Sequence, residues 1–416
     1  MCSFRINQAL PVIFSLLIFG SSCSKGGHSF RLVEEDGVTV ALTTGGPKYE
    51  GELFIYEKVL ELKQDPDHPE SLIYLPSEIT RDEQGYYYVI DSGDRRIAVF
   101  DNKGHYSHSI GRRGNGPGEF NYLQLQSVRG GVISMFDRVL RRITRFRTDG
   151  TFIDITRTPA LAGYYFTSYY HLPGDRHLIL VSRWYHREEA FQNALTTMLN
   201  AEGDTLWSVE TEEVRVGFVL NTGSWEYFSF GCFPMSIFQP EVGIVVSSGW
   251  LPELDIYDLA GSHQLKVKIE LIPEPVTVED RTQIRSDYES ALEEAALEIL
   301  ATHYTSLLEK NRFQEFKAPW AFVEVDDAGF IWLRKPLSGI NHLRPMHTYP
   351  LPDWEEHPAY LVVSPEGEYL GNTMRPKAGF SKSHDGHLLS IEADVTGAPR
   401  LVVYRIIPAV EGLKYP

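Results

Sequence analysis

One pattern occurs twice along this 416-residue chain, 46 residues apart, and it restricts the fold more than any other feature. Gly85, Asp91, Arg96-Ile97, Phe100 and Gly104 recur as Gly131, Asp137, Arg142-Ile143, Phe146 and Gly150. A period of this size marks one supersecondary unit used repeatedly. Between the markers each copy reads as short strands in period two, separated by turns at Gly. A unit of four such strands cannot bury both its faces alone, so it must be stacked with others.

Four-stranded units stacked in this way are the blades of a β-propeller. The two clear copies run Ser77–Ile110 and Leu123–Thr156. Later copies keep the closing turn, an apolar residue followed four positions later by Gly: Leu199/Gly203, Tyr257/Gly261 and Val363/Gly367. Asp326–Trp332 shows the first hairpin of the fifth unit. The C-terminal part supplies only three strands, at about Ala378–Ser381, His387–Ala393 and Arg400–Ile407. Phe54–Leu62 is the candidate for the missing fourth, and pairing it there would close the ring and remove the open edges. A further short strand is expected at Val38–Leu42. The fold class expected is therefore all-β, a six-bladed β-propeller closed by an N-terminal strand, with seven blades as the competing count. One insertion breaks the β pattern. From Glu279 to Phe316 there is no Gly or Pro, and Ile284, Tyr288, Leu292, Ala295, Ile299 and Leu307 recur at steps near three and four. This predicts an amphipathic helix or helix pair at about 277–316, capped by Thr277 and lying between the fourth and fifth blades.

The net charge of −17 argues against a nucleic-acid partner, because binding phosphates needs a basic surface. The first residues stand apart from the fold. Leu10–Phe19 is an apolar run too short to span a bilayer, and Gly20-Ser21-Ser22 then precede Cys23. This stretch resembles the bacterial lipobox, in which the Cys is acylated and becomes the mature N-terminus; ordinary cleavage and an uncleaved anchor stay open. The expected division is a signal peptide over 1–22, a tether over 23–29 after a lipidated Cys23, the propeller over 30–408 and a tail over 409–416. The lipid would be the chain's only attachment to a membrane. The location expected is the cell envelope, at the outer membrane facing the periplasm, since no acidic residues follow Cys23. With Cys2 and Cys23 so placed, Cys232 is left alone and no disulfide framework exists. Beside Phe230 it reads as a small buried hydrophobe.

Propeller geometry directs the loops. The loop between the second and third strands and the crossing between blades open on one face, and the other two turns open on the opposite face. The long segments all belong to the first class: Gly111–Tyr122, Arg183–Gln192, Val209–Trp225, the helical insertion and Lys335–Pro358. Insertions gathered on one face often mark the binding face. Arg95, Arg96, Arg113, Arg138 and Arg142 are expected there, with Trp184, Trp225, Trp250 and Lys335. Arginine recognises carboxylates in a planar, bidentate way, and Trp offers flat apolar area. Such a mouth suits an anionic or sugar-like ligand, and exchanging Arg96 and Arg142 for Ala is expected to weaken it without loss of stability. The competing reading is that these arginines are solvated, or paired with Asp91, Asp94 and Asp137.

Other motifs say less about chemistry. Gly111–Phe120 is rich in glycine but lacks the Gly-Lys-Ser/Thr ending of a phosphate loop, so it reads as a tight crossing with Phe120 as a core plug. Asp91 and Asp137 read as caps of their own turns, with a calcium or water ring at the axis as the alternative. His384-Asp385-Gly386-His387 is a weak metal candidate. No His-Glu-x-x-His, Cys pair or Gly-x-Ser-x-Gly is present, so no catalytic residue, metal ligand or cofactor is assigned.

Gly114-Asn115-Gly116-Pro117-Gly118-Glu119-Phe120 and the stretch Tyr88–Gly104 resemble the NHL-repeat type of six-bladed β-propeller. More closely, the order of a short N-terminal strand, two clear repeats, a helical insertion and Trp320…Trp332 resembles the secreted propeller lipoproteins of Bacteroidota. The resemblance implies the fold and an envelope location and imports no catalytic residues. The function expected is a non-catalytic binding or scaffold propeller for a peptide, glycan or protein partner. The alternative is a metal- or water-dependent hydrolase or lyase with its site at the axis.

Overall fold

The structure is a computed structural model, and it describes residues 27–158, 165–172, 176–186, 189–219, 225–227, 230, 234–293, 305, 308, 313–336 and 357–416. The chain is a six-bladed β-propeller. Blade one is formed by Pro76–Arg81, Tyr87–Asp91, Arg96–Phe100 and Tyr106–Ile110, and blade two by Gln124–Arg129, Val132–Asp137, Arg142–Arg147 and Phe152–Arg157. Blade three begins with Tyr165–Leu172, Arg176–His186 and Glu189–Leu199. Blade four contains Met235–Gln239, Gly243–Ser247, Glu253–Tyr257 and His263–Ile269, and blade five Phe322–Val325, Ile331–Arg334, Ala359–Val363 and Tyr369–Met374. Blade six takes Phe380–His384, His387–Ala393 and Pro399–Pro408 from the C-terminal part, and its outer strand is Phe54–Glu61. That strand runs antiparallel to Pro399–Pro408, with Phe54 opposite Pro408 and Glu61 opposite Val402.

The recurrent Gly is explained by a shared turn. Asp82 accepts the backbone N–H groups of Gln84 and Tyr86, Asp101 those of Lys103 and His105, Asp258 those of Ala260 and Ser262, and Asp326 those of Ala328 and Phe330. Each carboxylate thus closes a four-residue turn whose fourth residue must be left-handed, as Gly85, Gly104, Gly261 and Gly329 are. Packing adds a second demand at Gly261, where a Cβ would lie 2.7 Å from the Trp207 ring.

The 46-residue repeat also encodes a latch. Asp91 and Asp137 are fully buried at the ends of equivalent strands. Asp91 accepts the N–H of Leu75 at 3.1 Å and that of Gly93 at 3.2 Å. Asp137 accepts the N–H of Asn121 at 2.7 Å and that of Val139 at 2.9 Å. Each Asp therefore caps its own turn and also holds the crossing that leads into its blade. The arginines complete the hold from the carbonyl side. Arg96 donates to the carbonyls of Glu70 and Leu72, both at 2.5 Å, and Arg142 to those of Asn115 at 2.9 Å and of Gly116 and Glu119 at 2.6 Å. Phe120 is buried between the two blades, 5.9 Å from the Phe146 ring.

The N-terminal strand and the blade-three loop differ from expectation. The single strand at Val38–Leu42 is half of a hairpin, Ser29–Glu35 with Val38–Thr44, turned at Asp36-Gly37 with both residues left-handed. It extends blade four, pairing in parallel with His263–Ile269. The loop expected at Arg183–Gln192 is an extension of the blade-three hairpin, whose pairing reaches His186 opposite Ala190. The helix is described over Val278–Glu293. Thr277 caps it by accepting the Asp280 N–H at 3.1 Å, while Asp280 accepts the Thr277 N–H at 2.9 Å. Ile284 and Tyr288 pack against Phe230 and Val276.

Blades five and six are joined by Tyr415, which lies among Phe54, Phe330 and Trp332. Its hydroxyl and the Trp332 indole both donate to Asp326 at 2.8 Å. Burial outweighs these donors and pushes the Asp326 carboxyl up to about 6.

Two predictions follow from these contacts. Arg96→Ala and Arg142→Ala should each lower the unfolding free energy by about 1–3 kcal/mol in urea denaturation, because buried carbonyls lose charged donors. Arg95→Ala should stay within about 0.5 kcal/mol. A double Arg96/Arg142 variant as stable as the parent would return both residues to ligand binding. For Asp326, a raised native pKa means that the folded state holds the proton more tightly than the unfolded one. Its contribution is then complete below the ordinary carboxylate pKa and is lost as pH rises toward 6 and beyond. The stability of the parent relative to Asp326→Asn should therefore fall by about 2 kcal/mol between pH 4 and pH 7. A pH-independent difference would contradict this.

Candidate functional site

Strand direction places the loops. In each antiparallel blade the second-to-third loop and the outgoing crossing share one end. The largest departure from a short loop there is the crossing from Ile269 to Phe322, which carries the helix. It leaves as a ribbon of two segments, with the Val276 N–H donating to the Glu315 carbonyl at 3.0 Å and the Lys317 N–H to that of Glu274 at 2.8 Å. Between this ribbon and the loops of blades four and five lies a pocket of about 660 Å³.

The pocket wall combines flat, rigid groups (Trp250, Phe316 and the rings of Pro252, Pro273, Pro319 and Pro336) with the carboxylates Glu274 and Glu315. Its cations are Lys317 and Lys335. Lys317 is committed, lying 2.7 Å from Glu274 and 3.1 Å from Asp280. Burial alone would lower its pKa, but the two carboxylates prevail and raise it. Lys335 has no ion-pair partner among the described residues. His357 donates from Nδ1 to the Arg375 carbonyl at 3.0 Å, since a carbonyl can only accept, so in the neutral ring Nε2 is left as an acceptor. A flat apolar wall with one uncommitted ammonium and one imidazole acceptor can hold an amphipathic ligand.

Trp250 and Lys335, both expected on the long-loop face, are brought together in this pocket. Arg95, Arg113 and Arg138 lie elsewhere on that face, around blades one and two. Arg95 is left-handed in the turn before Arg96, Arg113 donates to the Gly93 carbonyl at 3.1 Å, and Arg138 covers the Tyr122 ring at 4.0 Å. None of the three has a carboxylate partner among the described residues. Arg96 and Arg142 require a correction. Their guanidinium groups hold backbone carbonyls, and Arg96, 8% exposed, also lies 3.4 Å from both Asp91 and Asp94. Against the expectation that their exchange spares stability, these contacts predict a loss of stability, because a donor fork pointed at the chain is part of the fold. Trp184 and Trp225 lie in strands, opposite Gln192 and Val219, and their side chains are outside the described residues, as are Cys23 and Cys232. Sequence reasoning missed Phe316, His357 and the proline ring wall; the cluster of prolines flanking the insertion was the available signal. Among the described residues, no three His, Cys, Asp or Glu side chains gather to hold a metal.

Comparison with known proteins agrees with this architecture. A family described as DUF5128, 6-bladed beta-propeller, matches residues 69–223. No curated protein matches the sequence. Among solved structures, a Bacteroides fragilis protein assigned as exported is 10% identical, covering 88% of this chain and 99% of its own, with a TM-score of 0.51. A Bacteroides vulgatus member of the DUF4221 family is 11% identical, covering 86% of this chain and 98% of its own, with a TM-score of 0.50. At these identities the likeness is one of fold.

Proposed function

We propose that this chain is a non-catalytic binding propeller of the cell envelope, exported and lipid-anchored through Cys23, which takes a peptide, glycan or protein partner on its long-loop face. The observation that carries the reading is the pocket of about 660 Å³ on that face, with Trp250 in its wall and the uncommitted Lys335 at its edge. An apolar wall with a few polar groups to set orientation is the usual build of a ligand site, and this volume accommodates a short peptide or oligosaccharide. Arg95, Arg113 and Arg138 provide a second, more open contact area for an anionic part of the same partner. The NHL-type and Bacteroidota lipoprotein resemblance of the sequence fits this reading, as does the weakly basic, apolar N-terminal segment.

Two experiments test the proposal. On peptide and glycan arrays the purified protein should retain at least one ligand, and Trp250→Ala or Lys335→Glu should weaken it about tenfold or more without lowering the melting temperature. Retention undiminished in both variants would remove the pocket from the function. In cells, Cys23→Ala should abolish incorporation of labelled fatty acid and move the protein from the membrane fraction to the soluble one. An unchanged distribution would refute the anchor.

A further inference from the structure

Large apolar side chains stand exposed at and next to the pocket. Ile272, 94% exposed, and Phe316, 42% exposed, line the pocket together with Trp250, and Leu251, 51% exposed, lies in the chain between the pocket residues Trp250 and Pro252. Exposed apolar groups gathered at one place mark a contact surface. A second observation says what covers it. The described chain begins next to this rim: a Cβ on Gly45 would lie 2.4 Å from the carbonyl oxygen of Gly27. The Gly45 N–H bonds the Glu270 carboxylate at 3.0 Å, and Glu270 is two residues before Ile272. His28 is pinned there as well, 2.9 Å from Glu368 and 3.0 Å from the Gly46 carbonyl. Cys23 is four residues before Gly27, a reach of at most about 14 Å.

From this we infer that Leu251, Ile272 and Phe316 form a crest that docks on the surface of a lipid bilayer. The three side chains enter the boundary between headgroups and acyl chains, Trp250 lies at headgroup depth, and Lys335 meets the phosphates. A short tether and an apolar crest side by side hold the disc in one orientation, with the blade-four and blade-five side on the membrane. The arginines of blades one and two, across the ring, then face the aqueous space. The crest deepens the binding reading above and rests on its anchor at Cys23, since the short tether is what brings this rim to the bilayer; the pocket would then open where a ligand is presented at the membrane.

The test uses the chain from Ser24 onward, which keeps every residue of the described fold and lacks the acylation site. Cosedimentation with vesicles of phosphatidylethanolamine and phosphatidylglycerol should show binding that Ile272→Glu or Phe316→Glu weakens about tenfold. Val139→Glu, a change at a residue 60% exposed in a blade-two turn, should leave it unaltered. Circular dichroism should show all three variants folded, since these positions face water. Absence of vesicle binding by the parent overturns the inference, as does equal binding by the Ile272 variant. Vesicle-free self-association that Ile272→Glu abolishes would assign the crest to a second copy of the chain instead. A parent that takes up no labelled fatty acid in cells while vesicle binding is intact would sink the anchor alone.

Discussion

The whole disc depends on one antiparallel pairing, that of Phe54–Glu61 with Pro399–Pro408. Every other blade is made from consecutive strands and could form locally. Blade six cannot, because its outer strand comes from more than 340 residues away, as the pairing of Glu57 with Arg405 illustrates. Without it Pro399–Pro408 would present an unpaired edge, and the two ends of the ring would be held only by packing between blades one and six. Side chains reinforce the pairing: Arg400 reaches Glu61 at 2.7 Å, and this contact first, over the opposing effect of burial, pulls the Glu61 carboxyl down to about 2. Phe54 adds the apolar side, its ring tilted against those of Trp332 and Tyr415 between blades five and six. The closing strand is therefore also a core element.

Much of this was legible in the sequence because the features are local and repeated. An Asp three residues before a Gly specifies the same turn wherever it occurs, which is why Gly104, Gly261 and Gly329 could be read as strand boundaries. The strand Phe54–Glu61 was legible by elimination, since the last blade was one strand short. The N-terminal hairpin was legible only in part. Asp36-Gly37 is a strong hairpin signal, but parallel pairing of Val40 with Lys266 leaves no trace in either segment. The long hairpin of blade three could have been foreseen, because Val181–Ala194 contains no Gly or Pro to end its strands.

The roles of the arginines were hidden for a different reason. Arg95 and Arg96 are adjacent and identical in type, yet one carries a left-handed backbone at the surface and the other is 8% exposed beneath the preceding crossing. Composition cannot separate them. What separates them is the direction in which a strand end faces, and that is fixed by pairing Asp91 with Arg96 across the hairpin. The same holds at Asp137 and Arg142, so the repeat that marks the fold also removes two arginines from the candidate site.

The crossing from blade four to blade five shows what happens where this latch is absent. At the crossing into blade five the strand end equivalent to Asp91 and Asp137 is Arg334, not a carboxylate, and the hold comes instead from blade four, where the Ser247 hydroxyl accepts from the buried Trp320 indole at 2.9 Å. A single neutral contact replaces a carboxylate and a guanidinium, and it grips only the far end of a crossing more than 50 residues long. The intervening chain is free to leave the disc, form its own capped helix and return through the ribbon at Glu274–Val276 and Glu315–Lys317. Space that a tight crossing would fill, as Phe120 does between blades one and two, is left open as the pocket. Its prolines suit this position, since each removes a backbone donor that the open wall would otherwise leave exposed or unpaired. The candidate site therefore arises at a crossing that lacks the Asp and Arg pair with which blades one and two seal the gap between blades.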